Sequence, residues 1–439
     1  MDFSSLLPIA PRQSLEQYAL EDLAKSPLSD EQRDIARQII ETRKCFLITG
    51  NAGTGKSFLL NWLRSRLTMQ ITASTGIAAL QIKGGTVHSW AGLGIGTKSA
   101  GWIVENLIEK KVKYRDKTFD RIKDCQRLVI DEVSMLSAEM IDLLDNVCCI
   151  VRENEEPFGG IQVIFVGDFL QLPPVTKDKE ESNFAFEATA WEAADTKVFL
   201  LTKVFRQEEE LFARVLNKIR FDEIDEEVEG FLRSRYEAID EDPEHPPVIL
   251  HTHNHGCDRV NRIELRKISG EEKTFKADDG GKHAGFIAQL DKDCMAPKIL
   301  TLKRGARVML LVNLNPSEGL VNGSLGFVRD WDAFGVTVEF DNGVTQVLDQ
   351  ETWSYMKGDD VLATRSQYPL RLAWAITIHK SQGMTLAKVE AHLDQCFADG
   401  QAYVALSRAQ TSAGLFLRGK GVSISANKKA VDFYKRHCK

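Results

Sequence analysis

The sequence predicts an α/β fold in which parallel sheets are flanked by helices. Short apolar runs that suit buried strands alternate with helical stretches over about residues 25–203, and this alternation returns after residue 366. Between them, from about residue 310 to 365, the pattern is all-β, with Asp341-Asn342-Gly343 as a hairpin turn between two strand-like runs. A chain of 439 residues is long enough for about two to four domains.

The composition is typical of a globular protein of a reducing compartment. It is 43% hydrophobic and 27% charged, and its eight cysteines include no C-x-x-C pair. No apolar run approaches the roughly 20 residues that span a bilayer, and the first residues lack the basic and apolar parts of a secretory signal. The net charge of −7 gives no overall attraction to nucleic acid, although a local basic groove is compatible with it. We therefore expect a cytoplasmic protein without membrane contact.

Residues 1–24 are expected to form an N-terminal segment, and helices are predicted over residues 14–44. Ser29 can cap one of these helices, with Gln32 three residues later, in the pattern of a capping box. The position of Gln32 just before the loop described next also suits a contact to the adenine of a nucleotide. Both roles of Gln32 are open from spacing alone.

The most specific motif is Gly50-Asn51-Ala52-Gly53-Thr54-Gly55-Lys56-Ser57, which fits the phosphate-binding pattern G-x-x-x-x-G-K-[ST]. A strand-like run, 45–49, precedes the motif and a helical stretch follows it, which is the context that a phosphate loop requires. Backbone N–H groups of the loop, with Gly53, Thr54 and Gly55, would surround the phosphates. Lys56 can reach the β- and γ-phosphates of ATP, and the Ser57 hydroxyl can hold Mg²⁺. The alternative is a chance glycine-rich turn.

Two later strands end in polar residues at the sheet edge where this loop also lies. Asp131 and Glu132 follow the strand 127–130, and Gln171 follows the strand 162–166. Because the carboxyl ends of parallel strands line the ligand crevice, Asp131 suits Mg²⁺, Glu132 suits the polarisation of an attacking water, and Gln171 suits a contact to the γ-phosphate. The alternatives are a helix cap for the acidic pair and a plain turn for the segment of Gln171.

The remaining elements complete two α/β regions. Strands at 69–73 and 198–201 belong to the first, and the glycine-rich segment 84–96 between them is predicted to be a loop or a small hairpin. Residues 206–245 are acidic and helical, which indicates solvated helix faces. Strands of the second region are predicted at 248–250, 373–378, 388–393 and 414–417.

The second half also supplies arginines near the expected boundary between domains. Arg206 and Arg408 could each reach a γ-phosphate, stabilise transition-state charge and link domain closure to ATP. As isolated residues, each would more often form a surface salt bridge.

In its ordered motifs the chain resembles the Pif (petite integration frequency) family of superfamily 1B DNA helicases. The similarity spans about residues 25–420, and a compact bacterial member is expected because there is almost no extension at either end. The motifs are the phosphate loop, Thr72-Ala73-Ser74-Thr75-Gly76-Ile77-Ala78-Ala79, Asp131-Glu132, Gly167-Asp168 with Gln171, Arg206, His379-Lys380-Ser381-Gln382-Gly383-Met384-Thr385-Leu386, and Tyr403-Val404-Ala405-Leu406-Ser407-Arg408.

The resemblance implies two RecA-like P-loop domains with ATP and Mg²⁺ between them. The first would cover residues 25–203 and contain a small wedge insert near 86–105. The second would cover 204–309 and 366–439, interrupted by an SH3-like β-barrel insert at 310–365. It also implies a monomer that moves 5′-to-3′ along single-stranded DNA and unwinds duplexes, forks, single-strand–duplex junctions and G-quadruplexes.

The resemblance also implies roles for individual residues. Gln32 would contact adenine, Gly383 would lie at the nucleotide, and Lys56, Ser57, Asp131, Glu132, Gln171, Arg206 and Arg408 would serve ATP and its metal ion. The residues that fall where the family contacts the DNA backbone are Ser74, Thr75, His88, Asn254, His379 and Lys380.

Other side chains suit the DNA path less specifically. Trp90, Phe169, Pro173 and Pro174 could stack on bases or separate strands, although single aromatic residues more often belong to a core. The run His251-Thr252-His253-Asn254-His255 would place three histidines on one face of a strand, which allows a metal site. Without a carboxylate or cysteine at a fitting spacing, a loop beside the DNA is the better interpretation.

Three functions remain open from the sequence. The first is a DNA helicase with an ATP-driven cleft. The second is a RecD-like subunit of a recombination complex, or an RNA-directed relative. The sequence has no evident cluster of nuclease carboxylates, which weakens the RecD-like alternative. The third is a P-loop switch without motor activity, against which stand the second-half arginines and the absence of the guanine-reading N-K-x-D pattern.

Overall fold

A computed structural model of the chain describes residues 12–94, 96–174, 183–203, 209–240, 242, 244–281, 283–358, 360–419, 421 and 423–437. Arg206 therefore lies outside the described residues. The backbone forms three sheet-containing units, which are named below by their strands.

The first unit is a parallel sheet with helices on both faces. The strand order is β3-β2-β4-β5-β1-β6, and all pairings are parallel. Its strands are β1 (Phe46–Gly50), β2 (Gln70–Ala73), β3 (Gly85–Thr86), β4 (Arg127–Asp131), β5 (Gln162–Val166) and β6 (Lys197–Leu201). Its helices are α1 (Arg12–Leu23), α2 (Asp30–Glu41), α3 (Lys56–Arg64), α4 (Gly76–Gln81), α5 (Val87–Ala91), α6 (Ala100–Tyr114), α7 (Thr118–Asp124), α8 (Ala138–Arg152) and α9 (Thr189–Ala193).

Burial explains why the central strands were predictable. Every residue of β1 and of β5 is buried, as expected for strands covered by helices on both faces. Phe46 and Ile164 belong to one core cluster and Leu47 and Val163 to another, so alternate residues of each strand face opposite layers. The prediction of an α/β fold with parallel sheets flanked by helices is confirmed.

The glycine-rich segment 84–96 was predicted to be a loop or hairpin, and for its central part this is wrong. Thr86 caps the short helix α5 by accepting a hydrogen bond from the Ser89 N–H at 3.2 Å. Trp90 is 1% exposed and donates through Nε1 to Gln70 at 3.3 Å, so it belongs to the core and not to a stacking surface. Phe169 is likewise 1% exposed. This helix was not predictable, because it is only five residues long and the glycines on either side of it suit turns.

The chain then enters a second unit through α10 (Glu210–Arg220), α11 (Glu226–Glu237), β7 (Val248–His251) and α12 (Asn254–Lys267). The predicted acidic helices are present. The apolar side of α10, with Phe212, Val215 and Ile219, packs in the core of this unit.

An antiparallel unit interrupts the second unit. Its largest sheet has the order β14-β13-β12-β11-β17, beside smaller sheets β15-β16-β9 and β10-β8. The elements are β8 (Glu272–Lys276), β9 (Asp278–Gly281), α13 (Ala284–Asp293), β10 (Ile299–Lys303), β11 (Arg307–Leu310), β12 (Leu325–Trp331), β13 (Val336–Phe340), β14 (Thr345–Leu348), β15 (Glu351–Lys357), β16 (Asp360–Gln367) and β17 (Leu370–Leu372). Antiparallel pairing thus begins at Glu272, well before the predicted start at residue 310, because β9 pairs with β16 and β8 with β10.

The second unit is completed by β18 (Ala375–Thr377), β19 (Val389–His392), α14 (Gln401–Leu406) and β20 (Leu415–Arg418). Its parallel sheet has the order β18-β7-β19-β20. The carboxyl ends of β7, β18 and β19 therefore lie side by side.

The last helix, α15 (Lys428–His437), corrects the prediction that residues 366–439 all belong to the second domain. Its apolar face packs in the core of the first unit, where the Phe433 ring lies 5.6 Å from Phe169 and 4.4 Å from Phe186. Sequence order alone could not reveal this return. The remaining predicted domain limits, and closure of the antiparallel unit into a barrel, stay predictions.

No helix in the described parts of the chain is long and apolar enough to cross a membrane.

Candidate active site

The phosphate-binding pattern forms a loop between β1 and α3. Gly53 and Gly55 have φ angles of 83° and 82°, a left-handed backbone that favours glycine. The Lys56 Nζ donates to the carbonyl oxygens of Gly50 at 2.7 Å and Asn51 at 3.0 Å, so its ammonium lies within the turn of the loop. A glycine-shaped turn that opens a helix, with a lysine folded into it, fits a nucleotide's phosphates.

Gln32 takes the capping role that the sequence left open. Its side chain accepts from the Ser29 N–H at 3.0 Å, while its own N–H donates to the Ser29 Oγ at 3.3 Å. The same side chain donates through Nε2 to the Gly55 carbonyl at 3.2 Å. Gln32 thus joins the start of α2 to the phosphate loop, which places it beside the loop whether or not it also meets a base.

Asp131 and Glu132 end β4 at the same edge of the sheet. Asp131 Oδ1 accepts from the Glu132 N–H at 2.9 Å, and Glu132 has a left-handed φ of 52°, which turns the chain away from the strand. Burial raises the pKa of Asp131. Burial and then the Asp131 carboxylate raise the pKa of Glu132 to about 7, against the opposing effect of Lys56. A carboxyl that titrates near neutrality suits a group that must accept a proton.

Gln382 joins the two α/β units at these carboxylates. Its Nε2 donates to Glu132 Oε2 at 2.9 Å and to Gln171 Oε1 at 3.4 Å. Gln382 follows β18 in the second unit, whereas Glu132 and Gln171 follow β4 and β5 in the first. Gln382 lies in the motif 379–386, but its role was not predicted from the sequence. Three polar side chains from both units therefore converge on one point.

Arg408 is almost completely buried in the second unit beside this point. Its guanidinium donates to the carbonyl oxygens of Val404 at 2.8 Å and of Ser381 and Met384 at 3.3 Å, which holds the loop that contains Gly383. Its positive charge, like that of Lys56, opposes the rise in the pKa of Glu132 that burial causes, so the two side chains interact electrostatically. A surface salt bridge, the alternative from the sequence, does not describe Arg408.

A cavity of about 890 Å³ extends from this site between the first unit and the antiparallel unit, where Trp353 and Met356 line it. The first unit contributes Ser57, Asp131 and Glu132 to its lining, and the second contributes Gly383 and Thr385. The Ser57 hydroxyl and the Asp131 carboxylate provide oxygen ligands of the kind that Mg²⁺ prefers. The cavity therefore borders the site at Ser57 and the two carboxylates, where a divalent cation would bind.

A second contact that the sequence did not reveal joins α14 to the phosphate loop. The Tyr403 hydroxyl accepts a hydrogen bond from the Ala52 N–H at 3.1 Å. Asn51 of the loop also donates through Nδ2 to Asn217 of α10 at 3.3 Å. Both contacts join the loop that would hold phosphate to the second unit.

Of the DNA candidates of the first unit, Ser74 and Thr75 lie between β2 and α4, and His88 lies within α5. Ser74 is buried and donates through Oγ to the Glu132 carbonyl at 2.7 Å, and Thr75 caps α4. His88 is part of α5, and burial lowers its pKa. Lys357 of the antiparallel unit bonds to Asp116 at 2.5 Å near these helices.

The DNA candidates of the second unit lie at the carboxyl ends of its strands. Asn254 begins α12 and is exposed, and His379 and Lys380 follow β18. Burial lowers the pKa of both His379 and Lys380. The exposed ring of Phe397, which was not predicted, lies 5.3 Å from the ring of His253 at the same edge.

The metal hypothesis for the three histidines does not fit the structure. β7 ends at His251, His253 precedes α12 and His255 lies within it, so the three do not share a strand face. Among the described residues, no group of three or more His, Cys, Asp or Glu side chains could hold a metal ion.

Comparison with known proteins agrees with this geometry. A family model described as PIF1-like helicase matches residues 27–229, and one described as DNA helicase Pif1, 2B domain, matches residues 285–330. The ATP-dependent DNA helicase PIF1 of Homo sapiens is 39% identical over 417 residues, which cover 93% of this chain and 64% of the human protein.

Two solved structures of Bacteroides Pif1 are similar to the chain as well. The one in complex with ADP-AlF4 has a TM-score of 0.81 at 32% identity, covering 94% of this chain and 98% of that one. The one bound to ssDNA has a TM-score of 0.62 at 31% identity, covering 94% and 97%. The fold is that of an α/β protein whose candidate site lies where two parallel sheets meet. The chain belongs to the PIF1-like helicase family.

If this cleft hydrolyses ATP, the raised pKa of Glu132 predicts that the reaction depends on pH. If Glu132 must be ionised to accept a proton, kcat/KM should fall about fivefold from pH 7 to pH 6, because a group of pKa about 7 loses most of its ionised form over that interval. The measurement is the steady-state rate of ATP hydrolysis, with DNA present, across this range.

Glu132→Gln is the matched control, since its amide oxygen can still accept the hydrogen bond from Gln382. This variant should hydrolyse ATP slowly. The fall of its kcat/KM toward low pH should be smaller than in the unmodified chain, because only the titration of the substrate then contributes to it. Identical acid limbs in the two proteins would contradict a proton-accepting role for Glu132.

Proposed function

We propose that this chain is an ATP-dependent DNA helicase that moves 5′-to-3′ on single-stranded DNA and unwinds duplex, forked and G-quadruplex DNA. The observation that supports it most is the junction of Glu132, Gln171 and Gln382, which makes the hydrolysis site depend on both α/β units. A site that is complete only when two units meet can convert a chemical step into relative motion.

In the proposed reaction, each residue of the cleft has a stated task. The loop residues Gly53, Thr54, Gly55 and Lys56 bind the β- and γ-phosphates of ATP. Ser57 and Asp131 would hold Mg²⁺, which offsets negative charge on the phosphates when it is bound.

The hydrolytic step then uses residues from both units. Glu132 accepts a proton from the attacking water, and Gln171 orients that water toward the γ-phosphorus. The bond between the γ-phosphorus and the oxygen that bridges the β- and γ-phosphates breaks, so ADP and inorganic phosphate are released. Lys56 and Arg408 stabilise the developing charge, and Arg206 is proposed to do the same.

We further propose that DNA crosses the carboxyl edge of both sheets. Asn254, His379 and Lys380 would contact the backbone in the second unit, and Thr75 and His88 in the first. Ser74 would act there mainly by holding the Glu132 carbonyl, given its buried hydroxyl. Such contacts tolerate any sequence because they meet phosphates and base faces.

Phe397 adds a platform to this proposed path. Its ring is 66% exposed beside His253, at the edge where His379 and Lys380 also lie. An exposed aromatic ring is the usual surface on which a base of a single strand stacks.

Other parts of the proposal rest on the resemblance alone. These are the 5′-to-3′ polarity, the unwinding of G-quadruplexes, monomeric action, work at single-strand–duplex junctions, and location in the cytoplasm at the nucleoid of a bacterium. The Bacteroides structures fit a bacterial origin, whereas the human relative does not favour it. A RecD-like subunit, an RNA-directed relative and a P-loop switch are the outcomes to which a failed test would lead.

The proposed polarity predicts which partial duplex the protein opens. With Mg-ATP, a duplex with a 5′ single-stranded tail should be unwound and its counterpart with a 3′ tail should not, as measured by strand separation. If only the duplex with the 3′ tail is unwound, the proposed polarity is wrong, but the protein is still a motor. ATP hydrolysis with neither substrate opened would favour a translocase that needs a partner, or a switch.

The platform predicts a loss of DNA affinity on removal of one ring. Phe397→Ala should weaken binding of a single-stranded oligonucleotide about tenfold, since stacking of one base contributes roughly 1–3 kcal/mol. Fluorescence anisotropy measures this affinity. Phe334→Ala removes a ring that is 82% exposed in the antiparallel unit and should leave affinity unchanged. Equal affinities for Phe397→Ala and the unmodified chain would remove Phe397 from the path.

A further inference from the structure

The Tyr434 hydroxyl of α15 lies between the ends of two neighbouring strands of the first unit. It contacts the Thr49 Oγ1, the Phe169 N–H at 3.1 Å and Asp168 Oδ1 at 3.2 Å. A phenol has one proton to donate and can accept two. All three contacts are satisfied when Tyr434 donates to Asp168 and accepts from Phe169 and Thr49. The hydroxyl thus joins the strand that enters the phosphate loop to the strand that precedes Gln171.

Asp168 receives a second partner from the other α/β unit. Arg220, at the end of α10, donates through Nε to Asp168 Oδ2 at 3.0 Å and through Nη2 to Oδ1 at 2.8 Å. The side chains are 2% and 0% exposed, and the guanidinium lies 4.8 Å from the centre of the Tyr434 ring. A buried ion pair requires such close pairing, because each charge alone would be strongly destabilising.

From Asp168 the hydrogen bonds continue to the hydrolysis site. Asp168 Oδ2 accepts from Gln171 Nε2 at 3.4 Å, and Gln171 Oε1 accepts from Gln382, which also donates to Glu132. The amide of Gln171 is therefore held at both ends. Its orientation depends on Asp168 on one side and on Gln382 on the other.

We propose that Tyr434 and Arg220 are positioning residues for ATP hydrolysis. They fix the Asp168 carboxylate, and through it the Gln171 amide, in the orientation that the attacking water needs. The C-terminal helix is then part of the ATPase machinery and not only a cover for the core. This inference rests on the proposed role of Gln171.

The first test removes a single oxygen. Tyr434→Phe keeps the ring and should lower kcat of DNA-stimulated ATP hydrolysis about tenfold, with KM changed by less than about twofold, because Gln171 is misoriented while the phosphate loop still binds. Tyr236→Phe is the control, since that hydroxyl donates to the Gly421 carbonyl away from the cleft. A lower Tm with unchanged kcat, measured well below Tm, would show a merely structural role and overturn the proposal.

The second test keeps the charge and removes the paired geometry. Arg220→Lys cannot donate to both oxygens of Asp168 in the same way, so its kcat should also fall about tenfold. Arg365→Lys is the matched control, because Arg365 is 1% exposed and donates to both oxygens of Asp279 at 2.8 Å in the antiparallel unit. Equal kcat for the two variants would overturn the role of Arg220.

A double variant separates this proposal from the function on which it rests. In the Gln171→Ala background, Tyr434→Phe should lower kcat by less than about twofold more, because residues that act through one another are not additive. A full additional loss would overturn positioning through Gln171. If Gln171→Ala itself hydrolysed ATP at the normal rate, the proposed role of Gln171 would fail, and this inference with it. A slow Gln171→Ala beside a normal Tyr434→Phe would overturn the inference alone.

Discussion

The hydrogen bonds from Gln382 to Glu132 and Gln171 are the interaction on which the active cleft depends. They join the carboxyl ends of two parallel sheets, where each sheet presents its polar loops. Neither sheet has a complete site by itself, because the phosphate loop and the carboxylates belong to one unit and Arg408 to the other. The same contact between the units explains the raised pKa of Glu132. Its carboxyl is buried in the cleft, away from water, and it lies next to the carboxylate of Asp131.

The chain path supports this arrangement. After it leaves the first unit it builds the second, and α15 then returns to the core of the first. The two units are therefore connected twice, and the buried pair of Asp168 and Arg220 lies between them. The antiparallel unit is inserted within the second unit and touches the first through Lys357 and Asp116.

Local chemistry explains which features the sequence could predict. The buried strands, the capping pair Ser29 and Gln32, the phosphate loop and the acidic end of β4 each depend on residues close in sequence. The helix of Trp90 was missed because it is short and the glycines that flank it indicate turns. The early start of the antiparallel unit was missed because the partners of its strands are distant in sequence. Contacts such as those of Gln382, Tyr403 and Tyr434 could not be predicted, since their partners are hundreds of positions away. Arg206 lies outside the described residues, so its role stays a prediction.

The most direct test of the account compares the unmodified chain with Lys56→Ala, by ATP hydrolysis with and without single-stranded DNA and by DNA affinity. Lys56 is folded into the phosphate loop on the Gly50 and Asn51 carbonyls, and it is not among the residues proposed to contact DNA. The account predicts that DNA stimulates hydrolysis in the unmodified chain, and that the variant loses this turnover while it keeps its DNA affinity. Comparable turnover by the variant would contradict the assignment of the nucleotide site.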